Sequence, residues 1–202
     1  MLEKDTFKTI ANFSVEVTYK DKGSKFIGYA YPITSEDAVK DIIDTLKSQH
    51  HKASHWCYAW QIGVETIHFR VNDDGEPNNS AGQPIYGQIL SRDLTNILVV
   101  VVRYFGGTKL GVGGLVNAYK SAAQLAIDNS KVVTKTIKTH YVLIFEYRYM
   151  NNVMRIIKEK KAIIVKQKMD LHCEFEISVR KKNSKQVRLA FEGLRQVKIE
   201  EI

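Results

Sequence analysis

The chain has 202 residues (23.1 kDa), 44% of them hydrophobic and 26% charged, a balance that suits a folded globular protein and excludes a disordered one. Its 30 Lys+Arg against 22 Asp+Glu give a formal charge of +8. The longest aliphatic run, Ile97–Val102, is six residues, far below the about 20 that a membrane helix needs.

In chain order, Asn12–Tyr19 and Lys25–Pro32 read as strands. Ser35–Ser48 reads as a helix: Ser35 is a candidate N-cap, Glu36 and Asp37 fill the first turn, and Val39, Ile42, Ile43 and Leu46 recur at helical spacing. Strands at Ser54–Ile62 and Thr66–Val71 are expected on either side of a turn at Gly63. The loop Asn72–Pro84 leads to a helix at Ile85–Ser91. Ile97–Tyr104 holds a continuous apolar, β-branched run, as expected of a strand buried on both faces. The turn Gly106–Gly114 then delivers the chain into a helix at Gly114–Asn129.

The last third has another rhythm. Lys138–Tyr147 reads as a strand, Arg148–Lys160 as a helix, Ala162–Lys168 and Leu171–Arg180 as strands, Asn183–Arg195 as a helix and Val197–Ile202 as a strand. That order is βαββαβ, the ferredoxin-like split unit. Met150, Val153, Met154 and Ile157 form one apolar stripe, and Val187, Ala190, Phe191 and Leu194 a second. Leu171, Cys173, Phe175, Ile177 and Val179 alternate with polar residues, which marks a strand with one buried face. The fold class is therefore α+β in two domains, 1–132 and 133–202, with the boundary inside Asn129–Thr136. A domain of about 70 residues has a small core and leans on its neighbour for stability.

Splitting the charge is more informative than summing it. Residues 1–130 carry 13 Lys+Arg and 14 Asp+Glu, a net −1, whereas residues 131–202 carry 17 and 8, a net +9. Such asymmetry points to an anionic partner for the last third, nucleic acid before membrane surface. The residues expected to hold phosphates are Arg148, Arg155, Lys158, Lys161, Lys181, Lys185 and Arg188. Lysines on exposed helix faces are also routine, and a basic surface kept for solubility is the plain alternative. No run of aromatics of the RRM type appears on the expected strand.

A second anion site is expected at the glycine turn, from Arg103, Gly106, Gly107, Lys109, Gly111, Gly113 and Gly114. Glycine permits positive φ and close approach, and a helix N-terminus offers unpaired N–H groups. The turn is neither a Walker A loop, since Val112 stands where Lys is required, nor a Gly-x-Gly-x-x-Gly fingerprint. Tight helix–sheet packing would account for the same glycines. Asp73, Asp74 and Glu76 place three carboxylates within four positions, suited to a hard metal or to acid–base work. The same segment is also a plain turn signal, with Ser80 as a cap for the next helix. His55 and Cys57 share one face of a strand, and Cys57 between Trp56 and Tyr58 reads as buried packing. No zinc spacing and no serine-nucleophile elbow occur. Two cysteines and an N-terminus without a signal-peptide pattern indicate a cytoplasmic protein.

His55–Ala59, Asp73–Pro77 with Ala81–Ile85, and above all Val102–Tyr119 (VRYFGGTKLGVGGLVNAY) resemble the IMPACT/YigZ family over nearly the whole chain. The resemblance implies an N-terminal α+β fold like the second domain of a small-subunit ribosomal protein and domain IV of elongation factor G. It implies a C-terminal ferredoxin-like domain similar to domain V of that factor. Eukaryotic members regulate translation under amino-acid starvation through an extra protein-binding domain, which has no expected counterpart here. Asn117 and Asn78-Asn79 depart from the family pattern, which commonly has a basic residue and Ser-Gly there. The family supplies no settled catalytic residue. The expectation is thus an RNA- or ribosome-binding protein connected with translation, without cofactor, metal or membrane contact; a protein partner stays open. The alternative is an enzyme acting on a phosphorylated or nucleotide-like substrate through His55, Asp73, Asp74 and Glu76, with catalysis itself undecided.

Overall fold

The computed structural model describes residues 5–202; residues 1–4, the start of the stretch read as lacking a signal peptide, lie outside the described residues. The described chain divides into two compact units, Phe7–Lys135 and a second made of Asp5 and Thr6 with Thr136–Ile202. Both mix helices and sheets, so the class is α+β.

The first unit is built on a five-stranded sheet in the order β2 (Val17–Asp21), β3 (Ser24–Pro32), β6 (Ile97–Tyr104), β4 (His55–Ile62), β5 (His68–Asn72). Every neighbouring pair is antiparallel. The central strand β6 has Ile97 to Val102 fully buried, the pattern of a strand covered on both faces. Its period of two sorts the core. Ile97, Val99 and Val101 join α2 (Gly82–Ser91) and α3 (Gly111–Asp128), while Leu98, Val100 and Val102 join Val39, Ile43 and Leu46 of α1 (Glu36–Gln49). The result is a three-layer unit, with α1 on one side of the sheet and α2 and α3 on the other.

Several boundaries differ from the sequence expectations for identifiable reasons. The first expected strand, Asn12–Tyr19, is displaced to Val17–Asp21. Thr6–Ile10 (β1) and Val132–Thr136 (β7) pair into a separate two-stranded sheet; their hydrogen bonds join segments over 120 residues apart, which no local pattern shows. Both later helices of this unit begin a turn early, at Gly82 and Gly111 rather than Ile85 and Gly114. Glycine lowers helix propensity, but tertiary bonds and packing override it here.

The second unit orders its antiparallel strands β11 (Val197–Glu201), β8 (Lys138–Phe145), β10 (Cys173–Arg180), β9 (Ile163–Met169). With α4 (Met150–Glu159) and α5 (Lys181–Glu192) the chain order is βαββαβ. A short 3₁₀ turn, Tyr147–Tyr149, takes the residues expected to begin α4. The stripes shift slightly: Val153, Ile156 and Ile157 are buried on α4, Met154 is exposed, and on α5 only Val187 and Phe191 are fully buried. Leu171 does not continue the buried face of β10, because it lies in the preceding turn at 92% exposure. Among the described residues no helix is long and apolar enough to cross a membrane.

Candidate functional site

The alternation along β6 ends on two functional side chains. Arg103 takes the last position on the α2/α3 face and Tyr104 the last on the α1 face. Arg103 lies opposite Phe26 of β3 and His55 of β4 in the ladder. Its guanidinium is 5.4 Å from the Phe26 ring centroid and 5.5 Å from that of Phe105, a cation held between two aromatic rings. At 5% exposure it needs a counter-charge, and Glu76, 7% exposed, supplies one: Nη1 donates to Oε1 at 2.5 Å. The Tyr119 hydroxyl donates to the same oxygen at 2.7 Å. Burial drives the Tyr119 pKa upward, with the neighbouring Cys57 and Glu76 adding to it, so the hydroxyl stays a donor. Arg103 Nε is buried without a partner and shielded from solvent.

The carboxylate triplet comes apart. Asp73 accepts three backbone N–H bonds, from Asn79 at 2.8 Å on Oδ2 and from Ala81 and Gly82 at 3.0 and 2.8 Å on Oδ1. It therefore caps α2 from outside the helix, the role expected of Ser80. Ser80 instead donates to the Pro77 carbonyl at 2.6 Å. Asp74 Oδ2 accepts from Trp56 N at 2.7 Å, which ties the loop to β4. Only Glu76 faces inward with Arg103. Among the described residues no group of three His, Cys, Asp or Glu is placed to hold a metal ion, and the divergence of Asp73, Asp74 and Glu76 is the reason the triplet does not form one.

His55 Nδ1 lies 2.8 Å from the Asp74 carbonyl oxygen, which can only accept, so that nitrogen carries a proton. Its Nε2 is 3.9 Å from Glu76 Oε1. Glu76 Oε1 already accepts from Arg103 and Tyr119. Cys57 is fully buried as expected, 3.0 Å from the Asp73 carbonyl and 3.3 Å from the Tyr119 hydroxyl. Burial raises its thiol pKa strongly, which keeps it from acting as a thiolate.

The glycine turn holds three kinds of glycine. A Cβ on Gly106 would lie 2.0 Å from the Gly23 carbonyl carbon, so two backbones touch there. Gly107 and Gly111 have φ of +87° and +73°, which L side chains rarely adopt. Gly113 has neither constraint: its Cβ would meet nothing within 4 Å. The N-terminus of the 18-residue α3 follows, with Leu110 at the cap, no side-chain cap bond and no acid in the first turn. Its first N–H groups and dipole favour an anion. A cavity of about 380 Å³ at this end of the sheet has Glu76, Arg103 and Lys109 as its charged members and an otherwise mostly apolar lining that includes Phe105, Leu110 and Leu115.

The basic residues of the second unit do not converge on a cavity. Arg148, Arg155, Lys158, Lys161, Lys185 and Arg188 are exposed along the 3₁₀ turn, α4 and α5, and Lys181 is half-buried at the start of α5. The arginines have internal partners: Arg148 bonds Glu146 at 2.9 Å, Arg155 lies 3.9 Å from Glu159, and Arg188 bonds Glu192 at 2.8 Å. Lys166 and Lys168 stand opposite Glu176 and Glu174 across the β9–β10 ladder. Local carboxylates thus offset part of the repulsion that first suggested an external anion. Tyr119, Phe26 and Phe105 were absent from the expected site. Tyr119 meets Glu76 across 43 residues of sequence, and a buried cation demanding aromatic walls was the only signal that pointed to such partners.

The fragments brought together here carry a wider likeness. Residues 22–127 match the model of the Impact N-terminal domain. The IMPACT family member YigZ of Escherichia coli is 33% identical over 153 residues, covering 75% of each chain. The IMPACT family member YvyE of Bacillus subtilis is 30% identical over 80% of this chain and 74% of its own. A crystal structure described only as that of a hypothetical protein overlays with a TM-score of 0.73 at 26% identity, over 99% of this chain and 98% of that one. The domain match spans the sheet, the loop and the glycine turn that build the Arg103 site, and the chain belongs to the IMPACT family.

Proposed function

We propose that the protein binds RNA or the ribosome and acts in translation or its regulation. In this reading residues 1–132 form a domain like elongation-factor-G domain IV, and residues 133–202 a ferredoxin-like domain. The observation that carries the proposal is the cavity at the end of β6, which Arg103, Lys109 and the uncapped N-terminus of α3 border. Such a cradle suits a phosphate. The +9 charge of residues 131–202 supports it as a long-range field that raises encounter with a polyanion. A hydrolytic enzyme is less well supported, because Asp73 and Asp74 are spent on backbone N–H groups and Glu76 on Arg103.

The test is binding of the full chain to ribosomes and to structured RNA across a salt series. The affinity is expected to fall steeply with salt. Lys109→Gln should weaken it, and a Lys158/Lys161/Lys185→Gln variant should flatten the salt dependence. Binding that ignores salt, or none to either target, overturns the proposal.

A further inference from the structure

The other face of the sheet carries a second cavity at the same end. Gly23, Lys25, Ile27, His50, Tyr104 and Phe105 line a space of about 400 Å³. Phe105 is 50% exposed and lines this cavity as well as the one beside Arg103. It is the first residue past β6, where Arg103 and Tyr104 have just turned to opposite faces. Two cavities, one bordered by Arg103 and Lys109 and the other by Lys25 and His50, therefore flank one accessible aromatic ring.

A hydrogen-bonded chain backs the second cavity. The Tyr29 hydroxyl lies 2.6 Å from Glu16 Oε2 and 2.7 Å from His50 Nε2, and His50 Nδ1 lies 3.0 Å from the Tyr104 hydroxyl. Burial first, then the Glu16 bond, raises the Tyr29 pKa, so Tyr29 stays protonated and donates to the carboxylate. Its oxygen then accepts from His50 Nε2–H. His50 and the Tyr104 hydroxyl thus stand together at the cavity wall, with Lys25 of β3 beside them.

We propose that this rim binds single-stranded RNA, with a base stacked on Phe105, one phosphate at Arg103 and Lys109, and the adjoining phosphate at Lys25, His50 and Tyr104. The inference rests on the RNA-binding reading and narrows it to an unpaired strand crossing the end of the sheet. A duplex keeps its bases stacked on each other and leaves Phe105 without a partner, whereas an unpaired base has a free face for an aromatic side chain. The ring is accessible on a turn whose Gly107 and Gly111 positions add no side chain of their own.

The experiment measures binding of the full chain to a fluorescent single-stranded oligoribonucleotide and to a duplex of equal length, at several salt concentrations. The wild type is expected to prefer the single strand. Phe105→Ala should weaken that binding at least about fivefold, the low end of a base–aromatic stack, while barely changing duplex binding. Lys25→Gln, at an exposed position that cannot unfold the protein, should lower the salt slope by about 0.7, one single-strand phosphate contact. His50→Gln should weaken single-strand binding, because it removes the partner that positions the Tyr104 hydroxyl. If the wild type binds RNA but F105A and K25Q bind as it does, the inference is overturned and the RNA reading stands. If the wild type binds neither probe with salt dependence, the reading beneath it fails as well.

Discussion

The two units hold their charge in opposite ways. In the first, one guanidinium is buried between two aromatic rings and matched by one buried carboxylate. In the second, arginines lie on exposed helices beside carboxylates two or four residues away. A buried pair is costly to assemble and strongly coupled, so it fixes geometry. Exposed pairs contribute little to stability and exchange partners freely. The first arrangement can therefore define where a phosphate sits, whereas the second supplies attraction without position.

The sharpest way to break this contrast is to neutralise one acid in each unit. Glu76→Gln leaves the Arg103 charge buried against a neutral partner and is expected to cost about 3–5 kcal/mol. Glu192→Gln, on an exposed i,i+4 pair, should stay within about 1 kcal/mol. Both tryptophans, Trp56 and Trp60, lie in β4, so urea unfolding followed by their fluorescence reports the first unit, and hydrogen exchange across α5 reports the second. Equal costs would remove the distinction. Glycines test the same site at smaller scale. Gly106→Ala drives a Cβ into the Gly23 backbone and should cost about 1–3 kcal/mol or more. Gly113→Ala meets open space inside a helix and should stabilise by about 0.5–1 kcal/mol; a simultaneous loss of RNA binding would show that the space serves a ligand.

Much of the framework was legible because it is periodic. The β-branched run Ile97–Tyr104 is the central strand with its expected ends, and the six-element order of the last third is that of the structure. What escaped was held by single long-range bonds. Asp73 reaches eight and nine residues forward to cap α2 while Ser80, the local candidate, bonds elsewhere. β1 and β7 pair with each other from distant parts of the chain. Arg103 and the glycines were visible as unusual residues, but Tyr119 and Phe105 acquire their roles through contacts that spacing does not encode.

A weaker effect follows from the same burial. Burial raises the folded-state pKa values of Cys57 and Tyr119; Cys57 and Glu76 add to the rise at Tyr119, while at Cys57 the Tyr119 hydrogen bond opposes it and nearby carboxylates reinforce it. Each favours the protonated folded state, so their contribution is full below the unfolded values of about 8.5 and 10. Above those values the unfolded chain loses protons that the folded unit retains, and stability falls as pH rises. Tryptophan-detected urea midpoints should drop between pH 7 and pH 10. Tyr119→Phe should show a smaller drop, since phenylalanine has no proton to lose; an identical drop would mean that Tyr119 takes no part in it.

The second unit should respond to acid instead, and more faintly. The Asp5 carboxylate accepts from Arg180 Nε at 2.6 Å and from the Lys182 backbone N–H at 2.9 Å, and so caps α5 from the far end of the chain. Partial desolvation pushes its pKa up, but the Lys182 and Arg180 bonds and their charges prevail and hold it below the usual carboxylate range. A lowered folded value means that the contribution is present above the ordinary Asp value of about 3.9 and is lost as pH falls through the folded one. The α5 start needs this cap more than most helices, because Arg180, Lys181 and Lys182 crowd positive charge at the positive end of its dipole. Hydrogen exchange at the first turn of α5 should therefore accelerate below about pH 4, relative to the intrinsic rate, while the α2 start answers to Asp73. Asp5→Asn should bring the loosened turn to neutral pH and leave the tryptophan-reported unit as it was. A change at α2 as large as at α5 in that variant would show that the caps are not independent.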